Sequence, residues 1–266
     1  MGVCCNMNIL CIGDVCGSIG CNALAEKLHG IKKQYNIDLT IVNGENSADG
    51  NGITPDSADF LFGIGADVIT GGNHTLRRTE FHPYLDEKPF VLRPDNLEKA
   101  NYGSGYCLID LGKYRVAVIN LLGNIYLENQ NASNPFNAAD LLIARAKDEG
   151  ANVIIIDFHA EATSEKRALG IYCDGRISAL FGSHTHVQTA DCQILPNGTA
   201  YITDIGMTGP IQSVLGVRSD IIISRLRHID TKKFELADGE CMINGCVFTI
   251  DEKSGKATDC QALYIK

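Results

Sequence analysis

The stretch Gly182-Ser183-His184-Thr185-His186 organises this chain, because it places two imidazoles one residue apart in a loop of small residues. The preceding residues 176–181 (RISALF) form a mostly apolar run of strand length, so we interpret the stretch as the loop that leaves a buried strand. In an extended segment, side chains at positions i and i+2 point to the same side, which would let both imidazoles converge on one or two metal ions. On this motif alone, metal binding and an ordinary structural role for the two histidines stay open as alternatives.

Oxygen and nitrogen donors also follow four other apolar runs. These runs cover residues 8–12, 39–42, 67–70 and 153–158, and the donors after them are Asp14, Glu45, Asn46, Asn73, His74 and His159. The first three runs alternate with helical segments, and this strand–loop–helix order predicts a parallel sheet whose site lies at the C-terminal ends of its strands. For Asp14 alone, capping of the following helix is the alternative role.

The donor set predicts a site for two metal ions. Four of the seven histidines in the chain fall in these fragments, whereas random placement would scatter them. Mixed carboxylate, amide and imidazole donors suit Mn²⁺, Fe or Zn²⁺ better than Ca²⁺ or a structural zinc ion. The donors are too numerous for one tetrahedral ion, so a two-metal site is the simpler interpretation.

Length and composition are those of an ordinary globular protein. The 266 residues contain no linker, repeat or low-complexity tract, and we predict a single domain over residues 7–266 after a disordered extension of residues 1–6. The net charge of −9 leaves no basic stripe for a nucleic-acid backbone, so stable nucleic-acid binding is not expected. Bound cations would still let a negatively charged protein bind phosphoesters. No run of 18 apolar residues is present, which predicts that no helix crosses a membrane.

The chain contains eleven cysteines, an odd number without a CxxC pair or zinc-finger spacing. Because the sequence shows no signal peptide, we expect these cysteines to be reduced thiols in a cytoplasmic protein.

The remaining apolar runs predict further elements. Residues 107–111 and 115–120 flank a turn and predict a hairpin, and residues 138–147 predict a helix. Residues 193–195, 200–203 and 220–229 have the short spacing of strands in a second sheet.

From residue 7 to about residue 217, the sequence resembles the calcineurin-like metallophosphoesterases, and closely the YmdB-like branch of phosphodiesterases. The motifs that carry the resemblance are NILCIGDV (8–15), NGEN (43–46), GNHT (72–75), DFHAE (157–161) and GSHTHVQTAD (182–191). The resemblance implies an α/β fold, a four-layered α/β/β/α sandwich of two mixed sheets.

The resemblance also implies a role for each donor. Asp14 and His186 would hold the first metal ion, Glu45 would bridge both ions, and Asn73, His159 and His184 would hold the second.

Two further positions complete this assignment. Asn46 would complete the first metal site, where most of the superfamily uses the histidine of an Asp-x-His motif; here the third position of that motif is Cys16. The YmdB-like branch also lacks that histidine. Cys16 is either a small buried thiol or a further ligand, and His74 would be the catalytic imidazole that binds no metal.

Polar residues near the donors are candidates for orienting the ligand imidazoles through hydrogen bonds. An ordinary capping or loop hydrogen bond is the alternative role for each of them. These candidates are Asp157, Glu161, Thr189, Asp191 and Asp204.

The function implied is a metal-dependent phosphodiesterase that hydrolyses small phosphodiesters, such as 2′,3′- or 3′,5′-cyclic nucleotides, with a metal-bound water as nucleophile. The cofactors would be two divalent or trivalent ions, iron or manganese first and zinc as the alternative. A phosphomonoesterase or 5′-nucleotidase with the same metals is one alternative function. A regulatory ligand-sensing protein with incidental turnover is another. The expected partner is a small phosphodiester, and a homo-oligomer stays open.

Overall fold

The computed structural model describes residues 6–98, 100–229 and 232–266. These residues form two mixed β-sheets covered by helices. The strands are β1 Asn6–Ile12, β2 Asp14–Val15, β3 Leu39–Asn43, β4 Val68–Thr70, β5 Tyr106–Asp110, β6 Arg115–Leu122, β7 Val153–His159, β8 Ala179–Ser183, β9 Gln193–Ile194, β10 Ala200–Ile202, β11 Met207–Pro210, β12 Cys241–Asp251 and β13 Ala257–Ile265. The helices are α1 Gly17–Gln34, α2 Pro55–Gly63, α3 His82–Glu87, α4 Pro135–Asp148, α5 Thr163–Cys173 and α6 Ser219–Leu226, with 3-10 turns at Thr79–Phe81 and Glu128–Gln130.

The first sheet has the strand order β2-β11-β12-β1-β3-β4, and β13 pairs with β12 beside this path. Strands β1, β3 and β4 run parallel, as the strand–loop–helix order predicts. The sheet is mixed because β12, from the end of the chain, pairs antiparallel with β1. The second sheet has the order β5-β6-β7-β8-β10-β9, and its first two strands form the predicted antiparallel hairpin.

Three apolar cores separate the layers. The central core lies between the sheets and joins residues such as Ile41 and Phe248 of the first sheet to Ile155 and Phe181 of the second. The second core packs α1 and α2 against the first sheet. The third packs α4 and α5 against the second sheet. The order helix, sheet, sheet, helix confirms the α/β/β/α sandwich.

One predicted strand is wrong. Residues 220–229 contain a run of three isoleucines, which favours a strand, but residues Ser219–Leu226 form helix α6. Ile221 is buried whereas Ile223 is about half exposed, so one face of a short surface helix packs against the protein. Tertiary packing overrides the β-propensity of this run.

The N-terminal prediction is tested at one residue. Asn6, the last residue of the predicted extension, already belongs to β1, and residues 1–5 lie outside the described part of the chain. The single domain over residues 7–266 stays a prediction. None of the helices formed by the described residues is both long and apolar enough to cross a membrane.

The expectation of reduced thiols is wrong for one pair, because Cys192 and Cys260 form a disulfide. Their separation of 68 residues hides this proximity in the sequence. It arises because β13 of the first sheet passes beside the short strands at the edge of the second sheet.

Candidate metal centre

The predicted donors lie together where strands of both sheets end. Asp14 forms part of β2, and the loops after β3 and β4 carry the donors of the two next fragments. His159 is the last residue of β7, and the GSHTH stretch continues from β8. Hydrogen bonds or close contacts join Asp14, Glu45, Asn46, Asn73, His74, His159, His184 and His186 into one cluster.

One group of donors surrounds Nε2 of His186. This nitrogen lies 3.6 Å from Asp14 Oδ1 and 3.3 Å from Asn46 Nδ2. Asp14 is completely buried, and its Oδ1 has no hydrogen-bond partner among the described residues. A buried carboxylate oxygen without a donor is costly unless a cation compensates it. This arrangement therefore fits a metal ion.

A second group surrounds Nε2 of His159. Glu45 Oε1, Asn73 Oδ1 and His184 Nδ1 each lie 3.1 Å from this nitrogen. Glu45, His159 and His184 offer ligand atoms that all lie within 4.8 Å of one another. Oxygen and imidazole donors at such spacing suit borderline divalent ions.

Glu45 lies between the two groups. Besides the contact with His159, its Oε1 lies 3.4 Å from Asn46 Nδ2, and its Oε2 accepts a hydrogen bond from the backbone N–H of His74 at 3.0 Å. Gly72 leaves the space that this carboxylate needs, because a Cβ at position 72 would overlap Glu45 and His159. A side chain at this glycine is thus incompatible with the arrangement.

The electrostatics of the cluster balance carboxylates against imidazoles. Burial alone would raise the pKa of Glu45, but His159 lowers it overall, to about 2. Burial and the neighbouring His159 lower the pKa of His184 to about 3, so this imidazole is neutral and free to act as a donor. Burial alone would lower the pKa of His159, but the negative charges of Glu45 and Asp14 have the larger effect, so this pKa is raised overall. The buried carboxylates thus require nearby positive charge, which protons or metal ions can supply.

The loop with His184 and His186 is not extended. The expectation that an extended backbone points both imidazoles to the same side is therefore wrong. His184 has φ of 95° and His186 has φ of 63°, a region that non-glycine residues seldom occupy. The backbone turns twice, and the two imidazoles enter different donor groups. Asp14 Oδ2 accepts a hydrogen bond from the backbone N–H of His184 at 3.2 Å, which helps hold this conformation. Such strain is common at functional sites.

Buried hydrogen bonds orient His159 from behind. Its Nδ1 lies 2.9 Å from Ser183 Oγ, which donates to Asp157 Oδ1 at 2.6 Å. Asn43 Nδ2 donates to the other oxygen of Asp157 at 3.0 Å. The sequence indicated Asp157 as an orienting residue but missed Ser183 and Asn43, although both lie inside the quoted motifs.

Of the other candidate orienting residues, one contacts a ligand imidazole and the rest form hydrogen bonds within the surrounding loops. Glu161 Oε2 lies 3.1 Å from His184 Nε2 and contacts the cluster directly. Asp191 accepts hydrogen bonds from Thr189 Oγ1 at 2.7 Å and Thr203 Oγ1 at 2.6 Å, so it closes the following loop. Asp204 accepts hydrogen bonds from the backbone N–H and the hydroxyl of Thr185, the residue between the two histidines.

His74 and Cys16 lie at the border of the cluster. His74 Nδ1 lies 2.9 Å from Asn46 Oδ1, and the His74 side chain keeps 22% of its surface exposed. Burial lowers the pKa of His74. Cys16 is buried, with Sγ 3.8 Å from Nδ1 of His186. This is the ring nitrogen opposite the one that faces Asp14, so the thiol lies outside the first donor group.

Comparison with known sequences identifies close relatives. The family model described as YmdB-like protein matches residues 10–263. A 2′,3′-cyclic-nucleotide 2′-phosphodiesterase of Bacillus subtilis is 45% identical over 259 residues, which cover 97% of each chain. A putative phosphatase/phosphodiesterase of Mycoplasma pneumoniae is 35% identical over 266 residues, which cover 98% of this chain and 93% of the relative.

Solved structures share the fold. The crystal structure of a novel phosphatase from Mycoplasma pneumoniae superposes with a TM-score of 0.93 at 34% identity, covering 99% of this chain and 94% of that one. A hypothetical protein from Thermus thermophilus gives 0.89 at 34% identity, covering 97% and 98%. A putative 5′-nucleotidase from Staphylococcus aureus gives 0.64 at 15% identity over 98% of this chain and 54% of its own, which indicates a shared fold alone.

Proposed function

The chain belongs to the YmdB-like family of calcineurin-like metallophosphoesterases, and from this membership we propose that it is a metal-dependent phosphodiesterase acting on small phosphodiesters. The 2′,3′-cyclic nucleotides are the first candidates, because the Bacillus subtilis relative named for that activity matches almost the whole chain. The 3′,5′-cyclic nucleotides are the second. The observation that carries the proposal is the position of Glu45, with Oε1 3.1 Å from His159 and 3.4 Å from Asn46.

The proposed site holds two metal ions. Asp14, Asn46 and His186 would hold one ion, and Asn73, His159 and His184 the other. Glu45 would bridge them, because its carboxylate contacts a member of each group. Iron or manganese would suit these donors, with zinc as the alternative.

When bound, the two ions would offset the charge that builds on the phosphoryl oxygens and lower the pKa of an attacking water. The residues of the chain supply the remaining functions. Ser183 and Asp157 fix the His159 ring through the hydrogen bonds at 2.9 and 2.6 Å. His74 is partly exposed beside the donors, and we assign it the proton donated to the leaving alkoxide.

A diester is favoured over a monoester because a dianionic monoester would need cationic side chains, and the arginines near the motifs are bonded elsewhere. Arg77 donates to Asn51 Oδ1 at 2.7 Å, and Arg78 donates to the carbonyl of the same residue at 3.2 Å. Arg176 is paired with Asp140. A phosphomonoesterase stays the second candidate because the Mycoplasma pneumoniae relative is named a putative phosphatase/phosphodiesterase.

The test is turnover of a chromogenic diester against the matching monoester with added Mn²⁺, followed by 2′,3′- and 3′,5′-cyclic nucleotides. We expect faster hydrolysis of the diester, loss of activity with a chelator, and recovery on adding Mn²⁺. Asp14→Ala should abolish turnover, whereas Glu87→Ala, an exposed residue at the end of α3, should not. Faster monoester hydrolysis would favour the phosphomonoesterase, and ligand binding without turnover would favour the regulatory protein.

A further inference from the structure

We propose that Cys192, Cys246 and Cys260, hereafter the three-cysteine cluster, form a second metal site for a soft cation such as Zn²⁺ when their thiols are reduced. The cluster combines the segment before β9 with β12 and β13, and it shares no residue with the donor cluster around Glu45. The proposal does not depend on phosphodiesterase activity.

The sulfur positions support this site. Cys246 Sγ lies 3.5 Å from Cys192 Sγ and 3.7 Å from Cys260 Sγ, and the three sulfurs all lie within 4.8 Å of one another. A Zn–S bond of about 2.3 Å in a tetrahedron places neighbouring sulfurs about 3.8 Å apart. The cluster therefore needs movement only between Cys192 and Cys260, which the disulfide joins.

Reduction of that disulfide converts the cluster into three potential ligands. A dithiol can supply the two electrons and two protons: the Cys192–Cys260 bond breaks, each sulfur becomes a thiol, and the dithiol becomes a disulfide. Metal binding then displaces protons from the thiols. The disulfide and metal-bound forms exclude each other, because the sulfurs of Cys192 and Cys260 cannot serve both.

The burial pattern fits an ion that enters from the surface. Cys246 is fully buried in β12, whereas Cys192 and Cys260 are partly exposed and pack against the central core. Three protein ligands with two of them near solvent leave a fourth tetrahedral position for water. Because thiols must lose their protons to bind the ion, binding should strengthen as the pH rises.

The test uses Cd²⁺ alone as the probe, since Cd²⁺–thiolate bonds absorb in the ultraviolet and imidazole or carboxylate ligands do not give that band. Reduced protein should give a band with the intensity of one thiolate-bound Cd²⁺ per chain, and oxidised protein should not. Cys246→Ser should reduce the band, since only two thiolates remain, and should weaken binding more than about 100-fold, since losing a residue that merely orients a ligand already costs about 10–100-fold. Cys173→Ser, in the core between α5 and the second sheet, is the matched control.

Two further arms keep the test decisive. Cys16→Ser removes the thiol beside His186, so a band lost in this variant would place Cd²⁺ at the other centre and overturn the proposal. If Cys246→Ser does not fold, alkylation of the reduced wild-type protein replaces it. Cd²⁺ should then protect Cys192 and Cys260 from alkylation until a chelator is added. Unprotected cysteines, or an unchanged band in folded Cys246→Ser, would overturn the site.

Discussion

Lys166 donates a hydrogen bond from Nζ to Asp204 Oδ2 at 2.7 Å, and neither side chain has any exposed surface. The same carboxylate oxygen accepts hydrogen bonds from the backbone N–H of Thr185 at 3.1 Å and from its hydroxyl at 2.6 Å. Thr185 separates the two histidines of the loop, both of which have positive φ. The buried ion pair between Lys166 of α5 and Asp204, which follows β10, thus holds the backbone that carries His184 and His186.

Lys166→Met should destabilise the protein by about 3–5 kcal/mol, because it leaves the Asp204 carboxylate buried without its cation. Urea unfolding measures the loss, and Lys147→Met, on the exposed face of α4, is the control. The double variant Lys166→Met/Asp204→Leu should recover only part of the lost stability, because the backbone N–H groups of Thr185 and Gly206 lose their acceptor. It should also bind metal more weakly than the wild type, since Asp204 no longer holds Thr185. Full metal affinity in the double variant would show that Asp204 does not position the loop.

Glu45→Ala should lose both metal ions and the activity, because its carboxylate contacts both donor groups. Elemental analysis of metal-replete protein should give two ions per chain for the wild type. Glu87→Ala is the matched control, since Glu87 is exposed at the end of α3 and lies outside the donor cluster. A single ion in the wild type would contradict the two-metal assignment, and an active Glu45→Ala variant would contradict the bridge.

His74→Ala should keep both ions and lose about 10²- to 10⁴-fold in rate on a cyclic nucleotide, the usual contribution of general acid catalysis. The loss should be much smaller on a bis-nitrophenyl diester, because nitrophenolate leaves with little help from a proton. Comparing kcat for both substrates gives the result. Equal losses, or loss of metal, would identify His74 as a ligand or a substrate-binding residue.

Cys16→Val should leave metal content and turnover near those of the wild type. The thiol is buried and lies near Nδ1 of His186, whereas Asp14 and Asn46 face Nε2. Valine has a similar volume and supplies no donor, so the substitution separates packing from ligation. A large fall in bound metal would make Cys16 a ligand.

Stability should fall as the pH rises above 9. Burial raises the pKa of Cys173 from 9.0 to about 12, so the folded protein keeps a proton that the unfolded chain releases. This contribution is fully present below pH 9 and is lost as the pH rises towards 12. Between pH 8 and 10, the wild type should lose about 1.4 kcal/mol more free energy of unfolding than Cys173→Ala. Leu169→Ala, a buried neighbour on the same helix, should show the wild-type pH dependence.

The sequence predicted which side chains lie together better than the way in which they meet. Asp14, Glu45, Asn73 and His159 follow apolar strands, and parallel strands bring such positions to one edge of a sheet. The positive φ values of His184 and His186 could not be predicted, since these residue types seldom adopt them without tertiary support.

Long-range pairings were also hidden in the sequence. The contact of β12 with β1 joins residues more than 200 positions apart, and local periodicity carries no information on such a partner. The same holds for the disulfide between Cys192 and Cys260. The helix at Ser219–Leu226 was missed because its β-branched residues favour a strand when burial is unknown.

The proposed ligands are divided between the two sheets: Asp14, Glu45, Asn46 and Asn73 belong to the first, and His159, His184 and His186 to the second. Neither half of the sandwich contains a complete site, so the activity should develop only after the halves dock during folding. Ions bound between the halves would raise the free energy of unfolding, because they bind only the docked form. The size of this increase would depend on the concentration of the ions and on their affinity. Metal supply would thereby set how long each newly folded molecule persists as well as how fast it works.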